Sequence, residues 1–281
     1  MKVAVVGTGT MGNGIAQTFA QAGHDVILKG RSEASLGKAH KAIEKSLSKM
    51  VEKGKMEAAS KEAAIAKIKD TMAYEDCADA DLVIEVVAED MAIKEEIFKT
   101  LDKICKPDAI LATNTSSLSI TEIASFTSRP QNVIGMHFFN PVPMMKLVEV
   151  IKGQLTSKEV HDKIVALAAE IGKTPVSVNE APGFVVNRIL IPLVNEGIGI
   201  YADGVASKEE IDEAMKLGAN HPMGPLALAD LIGLDVCLAI MEVLYNEFGD
   251  SKYRPHPLLR KMVRANLLGR KTGIGFYDYR K

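Results

Sequence analysis

The stretch VAVVGTGTMGNGIAQ, residues 3–17, decides the fold class of this 281-residue chain. It begins with a short run of Val and Ala that ends in glycine, which is typical of a buried β-strand. Gly7, Gly9 and Gly12 follow with the spacing G-x-G-x-x-G, and apolar residues then recur at helical spacing. A strand, this glycine turn and a helix in succession predict the first βαβ unit of a dinucleotide-binding fold.

The three glycines predict how a pyrophosphate binds. Gly7 permits the tight turn, Gly9 lets the backbone approach the phosphates, and Gly12 lets the helix pack closely on the strand. The helix N-terminus attracts the phosphates, so we expect Thr10 and Met11 to contact the cofactor as well. The alternative interpretation is a glycine-rich turn that holds no ligand.

The later chain supports an α/β fold with a second, all-α domain. Near-continuous apolar runs at 81–87, 109–114 and 132–139 predict strands buried on both faces, in a mostly parallel, doubly wound sheet of Rossmann type. Residues 33–70 predict an inserted pair of helices, joined near Gly54 and projecting from the sheet. From residue 184 the patterns are helical, so we predict domains at 1–183 and 184–281.

Composition excludes several classes of protein. The net charge of −2 gives no global basic field for nucleic acid, and the three scattered cysteines have no metal-ligand spacing. We therefore expect a cytoplasmic protein with no metal, no nucleic-acid partner and no membrane span. Residues 184–201 and 225–245 are apolar nearly all round, which favours a homodimer; a large core within one subunit is the alternative.

The tip of the second strand raises the question of the cofactor. Position 30, which lies 18 residues after Gly12, should carry the acid that binds the adenosine ribose, but the chain has Gly30, Arg31 and Ser32 there. A 2′-phosphate would be repelled by an acid and could pair with a guanidinium. This favours NADP(H), with NAD(H) as the alternative if Arg31 is only a solvated loop residue.

A candidate proton-transfer pair lies in GMHFFNPVPMMKLVEVI, residues 135–151. If two strands pair antiparallel about a turn centred near Pro143, His137 and Glu149 lie opposite each other. A carboxylate beside an imidazole orients the ring and favours its cation, as a general base requires. The alternative is a satisfied core histidine beside an ordinary ion-pair partner.

At this point the chain resembles a known family. Similar motifs are NTSSLSI (114–120), GMHFFNPVPMMKLVEVI, EAPGFVVNRI (180–189), HPMGPLALADLIGLDV (221–236) and GRKTGIGFYDY (269–279). They resemble the 3-hydroxyacyl-CoA dehydrogenases over nearly the whole chain, nearest to the bacterial 3-hydroxybutyryl-CoA subgroup. The resemblance implies an acyl-CoA substrate, with His137 as general acid/base held by Glu149.

The resemblance also implies roles that the residues alone do not indicate. Ser116 would hydrogen-bond the substrate oxygen and Asn187 would contact the acyl group, although each reads alone as a cap or helix-terminus residue. The further implied contacts are Glu89, Lys94 and Asn114 with the cofactor, and Lys49 and Lys53 with the coenzyme A phosphates. The lysine pair, spaced i, i+4, otherwise reads as a solvated basic face.

Two other functions compete with this interpretation. A dehydrogenase of free hydroxy acids with a similar layout would need a lysine in the helical domain near FVVNRIL, and none is there. A redox sensor or non-catalytic binding protein of Rossmann type should show a basic helix-turn-helix segment if it binds DNA, and none is evident.

Overall fold

The computed structural model describes residues 1–280 and divides the chain into two compact units, Met1–Glu180 and Ala181–Lys281. The first unit contains an eight-stranded sheet with the order β3-β2-β1-β4-β5-β6-β7-β8. Its strands are β1 Lys2–Val6, β2 Asp25–Lys29, β3 Ile68–Thr71, β4 Leu82–Glu85, β5 Ile110–Thr113, β6 Val133–Phe138, β7 Leu147–Lys152 and β8 Thr174–Asn179. Neighbouring strands are parallel except β6 and β7, which pair antiparallel.

The central strands β4, β5 and β6 are buried along their whole length. Such strands need cover on both faces, which explains why their sequences are continuous apolar runs rather than alternating ones. The helices of this unit are α1 Thr10–Gln21, α2 Glu33–Glu52, α3 Ala58–Ala66, α4 Met91–Ile104, α5 Ile120–Ser125 and α6 Lys158–Glu170. The predicted Rossmann-type, mostly parallel sheet is confirmed.

Two details of the insertion between β2 and β4 differ from the sequence prediction. The segment 33–70 ends in a strand, β3, whose sequence IKDT is buried only at its two end residues and shows no apolar run. The helical pair, which turns at Gly54 with a positive φ of 64°, also does not simply project from the sheet. One face of α2 lies in the core of the unit, because Leu36, Ala39, Ile43 and Leu47 recur at helical spacing and are buried.

The second unit is a bundle of helices with its own apolar core. Its helices are α7 Val186–Ala202, α8 Lys208–Gly218, α9 Pro225–Ile232, α10 Leu234–Phe248 and α11 Pro257–Arg264. Side chains from α7, α9 and α10, among them Val194, Leu226 and Met241, are fully buried together. The segment after α11 folds back onto these helices, where the buried Asp230 accepts hydrogen bonds from the backbone N–H groups of Phe276 and Tyr277.

Asp230 should therefore contribute strongly to stability. It is only 1% exposed, and it holds the chain after α11 against α9. We expect Asp230→Ala to lower the free energy of unfolding by about 2–4 kcal/mol, because two buried N–H groups lose their acceptor. Urea unfolding checks this, with the exposed Asp203→Ala as control, expected within about 0.5 kcal/mol of the parent. Equal stabilities of the two variants would contradict the role assigned to Asp230.

Candidate active site

A cleft of about 770 Å³ opens beyond the carboxyl ends of β1, β2, β4 and β5. This edge of an open α/β sheet is where such folds bind ligands. Of the predicted cofactor contacts, those that line it are Gly7, Gly9, Thr10, Met11, Gly30, Arg31, Ser32, Glu89 and Asn114. Gly12 and Lys94 are not among the residues that line the cleft.

The glycine turn is shaped for a close ligand. Gly7 has a positive φ of 132°, and a Cβ there would lie 2.3 Å from the carbonyl oxygen of Val86. A Cβ on Gly12 would lie 2.0 Å from the carbonyl oxygen of Gly7, so this residue allows α1 to sit against the turn. Gly9 has no atom within 4 Å of its absent Cβ, and as N-cap it gives α1 no side-chain hydrogen bond. The open helix N-terminus therefore fits a pyrophosphate.

The end of the cleft beside β2 is basic. Besides Arg31 it is lined by Lys29, whose Nζ lies 3.7 Å from the centroid of the Tyr74 ring, and by Lys38 of α2. Burial lowers the pKa of Lys29. Sequence reasoning missed Lys38 and Tyr74, because neither is part of the glycine motif or of the strand tip.

Gly30 has a packing reason as well as an electrostatic one. A Cβ at this position would lie 2.6 Å from Cγ of Leu36, which belongs to the buried face of α2. An acidic side chain cannot be placed here unless Leu36 moves. Ser32 is the N-cap of α2, where its Oγ accepts from the N–H of Ser35, and its own hydroxyl hydrogen can still be donated.

A buried ion pair lies next to Glu89, at the end of the cleft away from β2. Nζ of Lys94 lies 2.8 Å from both carboxylate oxygens of Glu85, and the two side chains are almost completely buried. Nζ of Lys94 also lies 3.7 Å from the carboxylate of Glu89, which lines the cleft. Lys94 therefore lies in the interior, joined to the cleft through Glu89, and its contact with the cofactor stays a prediction.

Glu89 and Asn114 order the chain that follows β5. The carboxylate of Glu89 accepts from Oγ1 of Thr115 at 2.8 Å and from the backbone N–H of Ser116 at 2.5 Å. Oδ1 of Asn114 accepts from the backbone N–H of Phe138 at 2.8 Å. The loop that carries Ser116 is thus joined to the cleft on one side and to the end of β6 on the other.

His137 and Glu149 form a buried pair next to this loop. They are directly opposite each other in the antiparallel ladder of β6 and β7, which confirms the predicted register. Nδ1 of His137 lies 2.7 Å from Oε2 of Glu149, and the two residues are 4% and 0% exposed. A carboxylate can only accept a hydrogen bond, so Glu149 orients the imidazole of His137 through its Nδ1–H group.

Three further predicted residues lie elsewhere. Lys49 is exposed in the last turn of α2, and Lys53 is the exposed C-cap residue just beyond that helix. Asn187 is buried in the first turn of α7, in the second unit.

The three cysteines of the chain are all buried. Burial raises the pKa of Cys77 and Cys237 to about 12 and that of Cys105 to about 11, so each thiol stays protonated. The described residues contain no group of three or more His, Cys, Asp or Glu placed to hold a metal ion. Within the same residues, every helix is too short or too polar to span a membrane.

The fold and the cleft define the class of dinucleotide-binding oxidoreductases, and comparison with known proteins refines this class. Residues 2–181 match the model of the 3-hydroxyacyl-CoA dehydrogenase NAD-binding domain, and residues 183–279 match that of the C-terminal domain. The chain belongs to the 3-hydroxyacyl-CoA dehydrogenase family. It is therefore an oxidoreductase that acts on a CH–OH group and binds a nicotinamide cofactor.

Similar proteins are found in bacteria and animals. A 3-hydroxybutyryl-CoA dehydrogenase of Clostridioides difficile is 68% identical over 281 residues, which cover both chains completely. The mitochondrial hydroxyacyl-coenzyme A dehydrogenase of Homo sapiens is 45% identical over 99% of this chain and 91% of its own. The crystal structure of (S)-3-hydroxybutyryl-CoA dehydrogenase PaaH1 from Ralstonia eutropha is 52% identical, with a TM-score of 0.97 over 100% of this chain and 99% of the other.

Proposed function

We propose that this protein is a 3-hydroxybutyryl-CoA dehydrogenase, which interconverts a short (S)-3-hydroxyacyl-CoA and its 3-keto form. The observation that carries this proposal is the buried His137–Glu149 pair at the end of β6, beside a cleft shaped for a dinucleotide. The bacterial relatives named for this activity support the choice of a four-carbon acyl group. A nicotinamide held in this cleft would supply or accept the hydride at C3.

His137 and Glu149 carry out the proton transfer that accompanies hydride transfer. Nε2 of His137 takes the proton of the 3-hydroxyl, and in the reverse direction the protonated ring gives it to the 3-keto oxygen. Glu149 orients the ring through Nδ1 and stabilises its charged form after the proton has moved. Both side chains are shielded from water, which strengthens their mutual attraction.

The remaining site residues bind and position the substrate. The hydroxyl of Ser116 hydrogen-bonds the substrate oxygen, and the amide of Asn187 contacts the acyl group. Lys49 and Lys53 are both exposed and lie one helical turn apart, and they bind the phosphates of coenzyme A. We retain residues 1–183 and 184–281 as the proposed domains, the cytoplasm as the proposed compartment and a homodimer as the proposed assembly.

NADP(H) is the proposed cofactor, with NAD(H) as the alternative. Arg31 and Lys38 line the β2 end of the cleft, and the hydroxyl of Ser32 can donate to an anion there. No acidic side chain at position 30 opposes a 2′-phosphate, and Leu36 occupies the space that one would need. Glu89 and Asn114 line the other end, where we place the nicotinamide ribose.

Arg31→Ala tests the cofactor. With acetoacetyl-CoA as substrate, we expect the parent to show a higher kcat/KM with NADPH than with NADH. Loss of the guanidinium should lower kcat/KM for NADPH about 10- to 100-fold, because a charge-assisted hydrogen bond is lost, and leave that for NADH nearly unchanged. Lys41→Ala, at an exposed position of α2 that is not among the cleft residues, is the control.

Absorbance at 340 nm separates the outcomes. Equal losses with both cofactors in Arg31→Ala, or a parent that prefers NADH, would overturn the NADP(H) assignment while keeping the dehydrogenase. No turnover of acetoacetyl-CoA with either reduced cofactor would overturn the proposed activity itself, and would direct the search to free hydroxy acids or to a binding role.

A further inference from the structure

The loop from Asn114 to Thr121 is held at three places, and only two of them belong to the cleft. Asn114 is joined to the backbone of Phe138, and Thr115 and Ser116 are joined to Glu89. The third attachment comes from Glu180, 59 residues further along the chain from Thr121. Nothing in the proposed chemistry uses this carboxylate.

Glu180 binds the start of α5 through one carboxylate with several donors. Oε1 accepts from Oγ of Ser119 at 2.7 Å, and the backbone N–H of Thr121 lies 3.1 Å from each carboxylate oxygen. Oγ1 of Thr121 donates to Oε2 in a short hydrogen bond and accepts from the N–H of Gln154 at 2.8 Å. The contact thus joins α5, the end of β7 and the end of β8.

The donors explain why a carboxylate is needed here. Ser119 is the N-cap of α5, and its oxygen already accepts from the N–H of Glu122, so its hydroxyl hydrogen needs another acceptor. Thr121 offers an N–H of the first helical turn, which has no partner inside the helix. A charged acceptor at a helix N-terminus satisfies these donors and interacts well with the helix dipole.

We propose that Glu180 is a positioning residue for the reaction: it fixes the loop Asn114–Thr121 and thereby the hydroxyl of Ser116. The inference rests on the proposed role of Ser116. Ser116 lies three residues before Ser119, and its N–H is already held by Glu89. With both ends of the loop fixed, the hydroxyl that meets the substrate oxygen loses little further freedom on binding.

The backbone of Glu180 is fixed as well as its side chain. Glu180 is the last residue of the first unit, and the chain continues directly into the second unit. Its backbone N–H donates to the carbonyl of Lys152, so the residue is fixed in the sheet as well. Both the side chain and the backbone of Glu180 are therefore held within the first unit.

A double-mutant cycle tests the proposal. In the parent, Glu180→Ala should lower kcat with acetoacetyl-CoA about tenfold, as expected for the loss of one well-placed hydrogen bond to substrate, and change the Kd for NADPH less than about twofold. In the Ser116→Ala background the same change should cost less than about twofold, because both substitutions remove the same interaction. Glu122→Ala, an exposed carboxylate of α5, is the matched control and should leave kcat within about twofold.

The outcomes of the cycle distinguish a positioning role of Glu180 from a purely structural one. Equal losses from Glu180→Ala in the two backgrounds would show a purely structural role and overturn the proposal. An unchanged kcat in Ser116→Ala would overturn both the role assigned to Ser116 and this inference. Turnover of acetoacetyl-CoA by the parent would still support the proposed dehydrogenase activity. If Glu180→Ala does not fold, the same cycle with Glu180→Gln, which keeps the volume and one acceptor oxygen, gives the answer by the same criteria.

Discussion

His137→Gln should lower kcat about a thousandfold while the Kd for NADPH stays within about twofold, because a general base contributes about 10²–10⁴ to the rate. Gln is preferable to Ala, since Ala would leave the carboxylate of Glu149 buried without its partner. The Gln amide can still donate to Oε2 of Glu149, but it cannot take the proton of an alcohol. Single-turnover absorbance at 340 nm measures the rate, and NADPH fluorescence measures the binding.

Two further variants test the role of Glu149 and provide a control. Glu149→Gln keeps the volume of the side chain and removes its charge, so we expect a fold close to the parent and a loss of about 10- to 100-fold in kcat. His161→Gln, a histidine on α6, should leave kcat nearly unchanged. Near-parent turnover in His137→Gln would refute the assignment of the general base, and near-parent turnover in Glu149→Gln would refute the role of the pair.

Gly12→Ala and Gly9→Ala should affect different properties. The first should lower the stability of the protein, and the second should weaken only the binding of the dinucleotide. The new methyl group at position 12 would overlap the carbonyl of Gly7, so α1 must move away from β1. We expect the free energy of unfolding to fall by about 3 kcal/mol and dinucleotide binding to be lost. At position 9 the methyl group meets no protein atom, so stability should change by less than about 0.5 kcal/mol.

Gly9→Ala should nevertheless weaken the binding of NADPH by at least about tenfold, since its methyl group points into the space needed by the pyrophosphate. Gly37→Ala is the matched control: this exposed glycine inside α2 also has open space, and Ala there should raise stability by about 0.5–1 kcal/mol with unchanged binding. Parent-like NADPH affinity in Gly9→Ala would contradict the position assigned to the phosphates.

The strongest parts of the sequence prediction came from local periodicity. The glycine spacing at 7–12 fixes β1, the turn and α1, because few other structures need these residues in this order. The His137–Glu149 register was predictable as well. In an antiparallel pair, residues at equal distances from the centre of the turn lie opposite each other, so a turn centred near Pro143 pairs positions 137 and 149.

The parts that sequence missed depend on contacts across the fold. The strand IKDT is short and polar in its middle, so it carries no pattern that separates it from the preceding helix. Lys94 reads like any helical lysine, and only the fold shows that Glu85 holds it in the interior. Tyr74 reaches the cleft from a distant segment after β3, which no spacing rule relates to the glycine motif, whereas Lys38 follows the strand tip directly, on α2.

The close packing of Gly30 on Leu36 has a consequence for which side chains position 30 can carry. A single mutation that introduces the ribose-binding acid also pushes into the interior of α2, so it reduces stability before it improves recognition. A smaller residue at position 36 would relieve this overlap. The side chain that position 30 can carry thus depends on the size of the residue packed beneath it at position 36.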